Sequence, residues 1–112
     1  MNATDSGINP IYSQDEPTPE QVTNLTGNTL LEFGAPWCGH CLAAEPVLQE
    51  VLTAHTSLPH IKIYDGKGKP LGRAFKVKLW PTLILLCDGK EVARLVRPTR
   101  AEEVRELIAQ WT

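Results

Sequence analysis

Cys38 and Cys41, separated only by Gly39 and His40, are the residues whose type and spacing most directly allow chemistry. Such a pair can be a metal clip, a structural disulfide or a redox-active dithiol. Zinc usually takes four ligands, and structural sites often use two close pairs. Here there is one pair, and Cys87, His40, His55 and His60 stand at spacings that do not complete a set. A structural disulfide over so short a ring would remove little entropy from the unfolded chain. Redox chemistry is the reading the residues favour. The pair falls where the apolar run "GNTLLEFGA" gives way to helical periodicity. Cys38 therefore meets free backbone N–H groups and the positive end of a helix dipole, which stabilise a thiolate. Cys41 follows one helical turn later, within reach of a short disulfide. These positions make Cys38 the exposed nucleophile and Cys41 the shielded thiol that resolves the mixed disulfide. His40, between them, is placed to stabilise the Cys38 thiolate.

The elements that must hold this pair are readable from turn signals and periodicity. "IYS" reads as a short edge strand after a loose tail over residues 1–10. "TPEQVTNL" opens a helix, with Thr18 as cap, Pro19 in the first turn and Gln21 closing a capping box. "GNTLLEFGA" reads as a strand covered on both faces, which buries Glu32. From Cys38 to about Ala54 the period is helical, with Pro46 inside it expected to remove a hydrogen bond and kink the helix. "HIKIYD" reads as a strand by alternation, "PLGRAFKV" as a short helix and "PTLILLC" as an apolar strand. Asp88-Gly89 is a hairpin signal leading into "EVARLV". "TRAEEVRELIAQW" opens with a Thr99–Glu102 capping box and lines up Val104, Leu107, Ile108 and Trp111. Interleaved strands and helices followed by a hairpin imply a mixed sheet with helices on both faces.

With 112 residues, 42% hydrophobic and 21% charged, the chain suits one globular domain. Its net charge of −2 implies no general attraction to nucleic acid or anionic membrane, and no apolar run is long enough for a membrane span. "MNATDSGINP" does not read as a signal peptide, so the cytoplasm is the expected location, or an oxidising compartment if the N-terminus is processed. Charge is nevertheless uneven. No Lys or Arg precedes Lys62, and all 11 basic residues follow from there, six of them in "KIYDGKGKPLGRAFKVK". Such a field acts on encounter rate and partner choice. Three cysteines are too few for a disulfide-stapled secreted domain, and Cys87, ending an apolar strand, reads as a small core residue.

"FGAPWCGHC" closely resembles the active site of the thioredoxin superfamily, and its Cys-Gly-His-Cys core is typical of protein disulfide isomerase domains. The resemblance covers roughly residues 11–112, which it marks as one thioredoxin-like domain. Glu32 matches the family's buried acid, Pro46 its helix proline and Trp80-Pro81-Thr82 the segment holding its cis-proline. Lys62 matches the lysine that neighbours the buried acid. What the resemblance implies is an α/β thioredoxin fold and a thiol–disulfide oxidoreductase without a cofactor. Its partners would be protein disulfide or dithiol substrates, with a reductase, glutathione or an oxidase for recycling, and the chain would be a monomer. Glu32 would exchange a proton with Cys41, directly or through water, beside Lys62. Trp37, Trp80, Pro81 and Arg97 would line the substrate groove, and Gly39-His40 would tune the thiolate.

The departures from the pattern are informative. Leu42 replaces a common Lys, Gly34 stands where an aromatic is common, and Trp80 replaces a smaller residue. Arg97 takes the place of a groove-lining Gly. Together they favour a dedicated partner, and they leave open a binding or chaperone module whose dithiol is incidental.

Overall fold

The computed structural model describes residues 3–4, 12, 16–55 and 57–110. In chain order the elements are β1 (Ala3–Thr4), α1 (Pro19–Thr23), β2 (Asn28–Gly34), α2 (Gly39–Leu52) and β3 (His60–Tyr64). Then come α3 (Pro70–Ala74), β4 (Thr82–Cys87), β5 (Lys90–Val96) and α4 (Ala101–Ile108). The strands form one mixed sheet in the order β1-β3-β2-β4-β5. β2 and β3 are parallel, so a crossover must join them, and α2 supplies it. β4 lies antiparallel to β2 on its other side, and β5 antiparallel to β4.

Two cores flank the sheet. Leu30, Leu83 and Leu85 meet Ala44, Leu48 and Val51 of α2 and Val104, Leu107 and Ile108 of α4. On the opposite face Leu31, Phe33, Ile61, Ile63 and Ile84 pack with Val22 of α1 and Leu71 of α3. This is the thioredoxin fold, with helices on both faces as the alternation of elements implies.

Local chemistry explains most boundaries. Thr18 Oγ1 accepts from Gln21 N–H at 3.1 Å while Gln21 Oε1 accepts from Thr18 N–H at 2.9 Å, closing the expected box. Asp88 and Gly89 take φ of 51° and 78°, the left-handed pair that a two-residue hairpin requires. Gly89 is doubly constrained, because a Cβ there would collide with the Thr23 carbonyl oxygen.

The first strand and the last cap differ from expectation. The strand pairing with β3 is Ala3–Thr4, in register with Ile61 and His60, whereas Tyr12 lies outside any strand. Ile11 and Ser13 of "IYS" lie outside the described residues, as does Trp111. The α4 cap is displaced by one residue. Glu103, not Glu102, reaches back, its Oε1 accepting from the N–H groups of Thr99 and Arg100 at 3.0 and 3.1 Å. Those N–H groups hold the Glu103 carboxyl below the usual carboxylate range. Among the described residues no helix is long and apolar enough to cross a membrane.

Candidate active site

β2 ends at Gly34, and Ala35–Cys38 turns the chain into α2, so the Cys pair sits at the C-terminal end of the central strand. Cys38 is the N-cap of α2, with extended φ and ψ of −76° and 122°. Its sulphur does what a capping side chain does and accepts the Cys41 N–H at 3.3 Å. Cys41 stands in the first turn, and both thiols are free. The nucleophile expected to be exposed is more sheltered than that: Cys38 is 8% exposed, against 2% for Cys41. The order of access is as expected, but Tyr64, Trp80 and Tyr12 pack against the cluster that Ala35, Cys38 and Cys41 form. Burial, and then the hydrogen bond with Cys38, push the Cys41 thiol up to about 11. A backbone hydrogen bond at Ala35 and the Tyr12 hydroxyl pull the other way. His40 and Gly39 are exposed on the outer side of the first turn.

The antiparallel register sets Thr82 opposite Phe33, and Trp80, just before Pro81, packs against the cluster of Ala35, Cys38 and Cys41. The Trp80–Pro81 peptide is cis. Trp80 is neither free nor core. Its ring meets that of Trp37 edge-on with centroids 5.5 Å apart, and its Nε1–H donates to Asp65 Oδ2 at 2.9 Å. Trp37 is 65% exposed, and its Nε1–H donates to the Tyr64 hydroxyl at 2.9 Å. Two indoles anchored by their N–H groups thus wall one side of the dithiol. Arg97 adopts a φ of 52°, which explains why a glycine suits this position. Its Nε–H donates to the Trp80 carbonyl at 2.8 Å and its backbone N–H to the Pro81 carbonyl at 2.9 Å. Arg97 therefore braces the cis-proline segment instead of leaving its guanidinium loose in the groove.

Beneath Cys41 the sheet buries charge. Glu32 is fully buried, as the apolar run implies. Its carboxylate does not pair with Lys62. Glu32 Oε1 lies 2.8 Å from His60 Nε2, and Oε2 accepts the Tyr12 hydroxyl at 3.0 Å. The Lys62 ammonium instead holds both oxygens of Glu45 on α2, at 2.7 and 2.9 Å, and lies 4.4 Å from the centre of the Tyr12 ring. The reason is positional. Lys62 is level with Glu32 in the parallel register, but its longer side chain runs on past that carboxylate to α2. His60, two residues earlier on the same face, is diagonal to Glu32 and takes the near oxygen.

Gly34 completes the arrangement. A Cβ there would lie 2.6 Å from Cys41 Sγ and 2.7 Å from the Tyr12 hydroxyl. The floor that an absent aromatic would leave open is filled by Tyr12, coming from a remote segment.

Tyr12, His60, Glu45 and Asp65 are site neighbours that sequence reasoning missed. Period-two alternation in "HIKIYD" carried a signal for His60, since it must share a face with Lys62; no local signal marks Tyr12. Cys87 is half-buried at the far end of β4, remote along the strand from Thr82. Among the described residues, no group of three or more His, Cys, Asp or Glu side chains is arranged to hold a metal ion.

Comparison with known proteins fits this geometry. The Thioredoxin family model matches residues 10–110. Thioredoxin from Chlamydia pneumoniae is 38% identical over 87 residues, covering 74% of this chain and 81% of that protein. Thioredoxin H2-1 from rice (Oryza sativa subsp. japonica) is 32% identical over 79 residues, 70% of this chain but only 57% of the rice protein. Among solved structures, thioredoxin 2 from Pseudomonas aeruginosa PAO1 in its reduced form superposes with a TM-score of 0.81 at 48% identity, covering 88% of this chain and 93% of that one. A likeness running from residue 10 to residue 110 is one of a whole domain and not of a motif, and the chain therefore belongs to the thioredoxin family of thiol–disulfide oxidoreductases.

Proposed function

We propose that the chain exchanges disulfides with protein substrates through Cys38 and Cys41. The Cys38 thiolate attacks a substrate disulfide, forming a Cys38–substrate disulfide and expelling one substrate thiolate. Cys41, deprotonated, then attacks Cys38 Sγ and expels the second thiolate. Two electrons pass to the substrate, two protons complete its thiols, and Cys38–Cys41 becomes a disulfide. The observation that carries this reading is Cys38 Sγ standing as helix cap on the Cys41 N–H, with the second thiol more deeply enclosed. A reductase, glutathione or an oxidase would return the pair to its working state.

Gly39-His40 makes this a disulfide-isomerase-type Trp-Cys-Gly-His-Cys site, and supports a couple less reducing than that of a Gly-Pro thioredoxin. General values are about −270 mV for thioredoxin and about −180 mV for disulfide isomerase. Trp37, Trp80, Pro81 and the bracing Arg97 form the substrate groove. Beside Trp80 a pocket of about 360 Å³ is lined by Lys67, Lys69, Arg73 and Lys78 with one acid, Asp65. That charge supports substrates with acidic residues next to the disulfide.

A single-turnover reaction tests this. Reduced protein mixed with a peptide disulfide is expected to reduce one equivalent, leaving Cys38 joined to Cys41 and Cys87 still open to alkylation, as read by mass spectrometry. Acid-flanked peptides should react faster than base-flanked ones, with the difference shrinking in high salt. No electron transfer, or transfer through Cys87, would refute the reading.

A further inference from the structure

Resting on the exchange reading above, we propose that Tyr12 carries the proton between Cys41 and Glu32, and that His60 is the positioning residue that holds Glu32 to receive it. Four observations converge. The Tyr12 hydroxyl donates to Glu32 Oε2 at 3.0 Å, and the Tyr12 side chain packs against the cluster of Ala35, Cys38 and Cys41. Gly34 has no side chain where Cys41 Sγ and the Tyr12 hydroxyl come together, since a Cβ there would lie within 2.7 Å of both. Lys62 sits over the Tyr12 ring and is fixed by Glu45, so the ring is held from its face. Finally, His60 Nε2 holds the other carboxylate oxygen at 2.8 Å, with both side chains fully buried.

The polarity of this chain suits the transfer. With Cys41 a thiol and Glu32 ionised, Cys41 S–H can donate to the Tyr12 oxygen while Tyr12 O–H donates to Oε2. Moving each proton one step leaves a Cys41 thiolate, an intact phenol and a protonated Glu32. The thiolate bonds to Cys38 Sγ, the Cys38–substrate bond breaks, and its electron pair leaves on the substrate sulphur. In the reverse direction Glu32 returns the proton by the same path. The phenol never has to ionise, which matters because burial, Glu32 and Cys41 all push its ionisation far up. Cys41 needs such a path, because burial and the hydrogen bond with Cys38 push its thiol up to about 11. The titratable groups facing Cys41 and Tyr12 are Glu32 from β2, His60, Lys62 and Tyr64 from β3, and Cys38 and Glu45 from the α2 side.

The test is rapid mixing of the reduced protein with a chromogenic aromatic disulfide, which releases one coloured thiol on Cys38 attack and a second on Cys41 resolution. Tyr12→Phe, which keeps the ring on Lys62, is expected to leave the first release unchanged and slow the second about 100-fold near pH 7. Its second release should then climb roughly tenfold per pH unit, following the thiolate fraction of Cys41, while the wild type stays nearly flat. Glu32→Gln, which cannot take the proton, should show the same loss, and the double variant should be no slower than either alone. A Tyr12→Phe protein that resolves at the wild-type rate and pH profile would overturn the relay alone, as would losses that multiply in the double variant. Absence of a second release in the wild type would overturn the exchange reading and the relay with it.

Discussion

Cys38→Ser is expected to reduce disulfide exchange to the uncatalysed background, a loss of roughly 10³-fold or more, as removal of an attacking nucleophile does. The hydroxyl is isosteric and can still cap α2 by accepting the Cys41 N–H, so the fold should survive. Cys41 cannot substitute, because it is 2% exposed and its thiol is pushed up to about 11. Cys41→Ser gives the complementary result. Attack by Cys38 persists, but the mixed disulfide accumulates as a species heavier by one substrate, visible in intact-mass spectra. The two variants together separate enzyme from binding module. A chain whose altered groove serves recognition alone would keep its partner and its phenotype in Cys38→Ser, with no trapped adduct in Cys41→Ser.

The second large effect falls on stability. His60→Ala is expected to destabilise the reduced protein by about 3–5 kcal/mol, the usual result of removing one member of a fully buried ion pair or charge-assisted hydrogen bond. Glu32 would keep one partner, the Tyr12 hydroxyl, and lose the imidazole at 2.8 Å in a place water does not reach. In a domain of this size such a loss lowers Tm by about 15 °C or more. The Arg105–Glu50 pair, equally short at 2.8 Å but 57% and 60% exposed, supplies the contrast. Breaking it by Arg105→Ala should cost less than about 1 kcal/mol, because solvent screens both charges and the side chains lose entropy in pairing. Urea unfolding at neutral pH measures both. Losses of the same size would mean that burial is not what makes the Glu32–His60 contact matter.

What the chain reveals on reading and what it conceals divide along a physical line. Features fixed by neighbours in sequence were legible: the Thr18 box, the left-handed Asp88-Gly89 turn and the capping position of Cys38. The same local logic misplaced the α4 cap by one residue, because Glu102 and Glu103 offer equivalent carboxylates and only the backbone path decides between them. Burial of Glu32 was legible from the apolar density of its strand, but its partner was not. Register between parallel strands is set by the crossover helix and not by a turn, so nothing local tells whether Lys62 or His60 reaches the carboxylate. Tyr12 is the extreme case. It lies outside any strand or helix, 20 residues before Glu32, and only the vacancy at Gly34 hints that another side chain must arrive.

If disulfide exchange runs through this site, Cys38 and Cys41 form a working two-electron couple. Equilibrating the protein in glutathione buffers of graded potential and counting alkylated cysteines by mass spectrometry tests it most directly. Cys38 and Cys41 are expected to titrate together, between roughly −270 and −120 mV, while Cys87 stays outside the transition. A pair locked below about −300 mV, as structural disulfides are, or one that never joins, would contradict it.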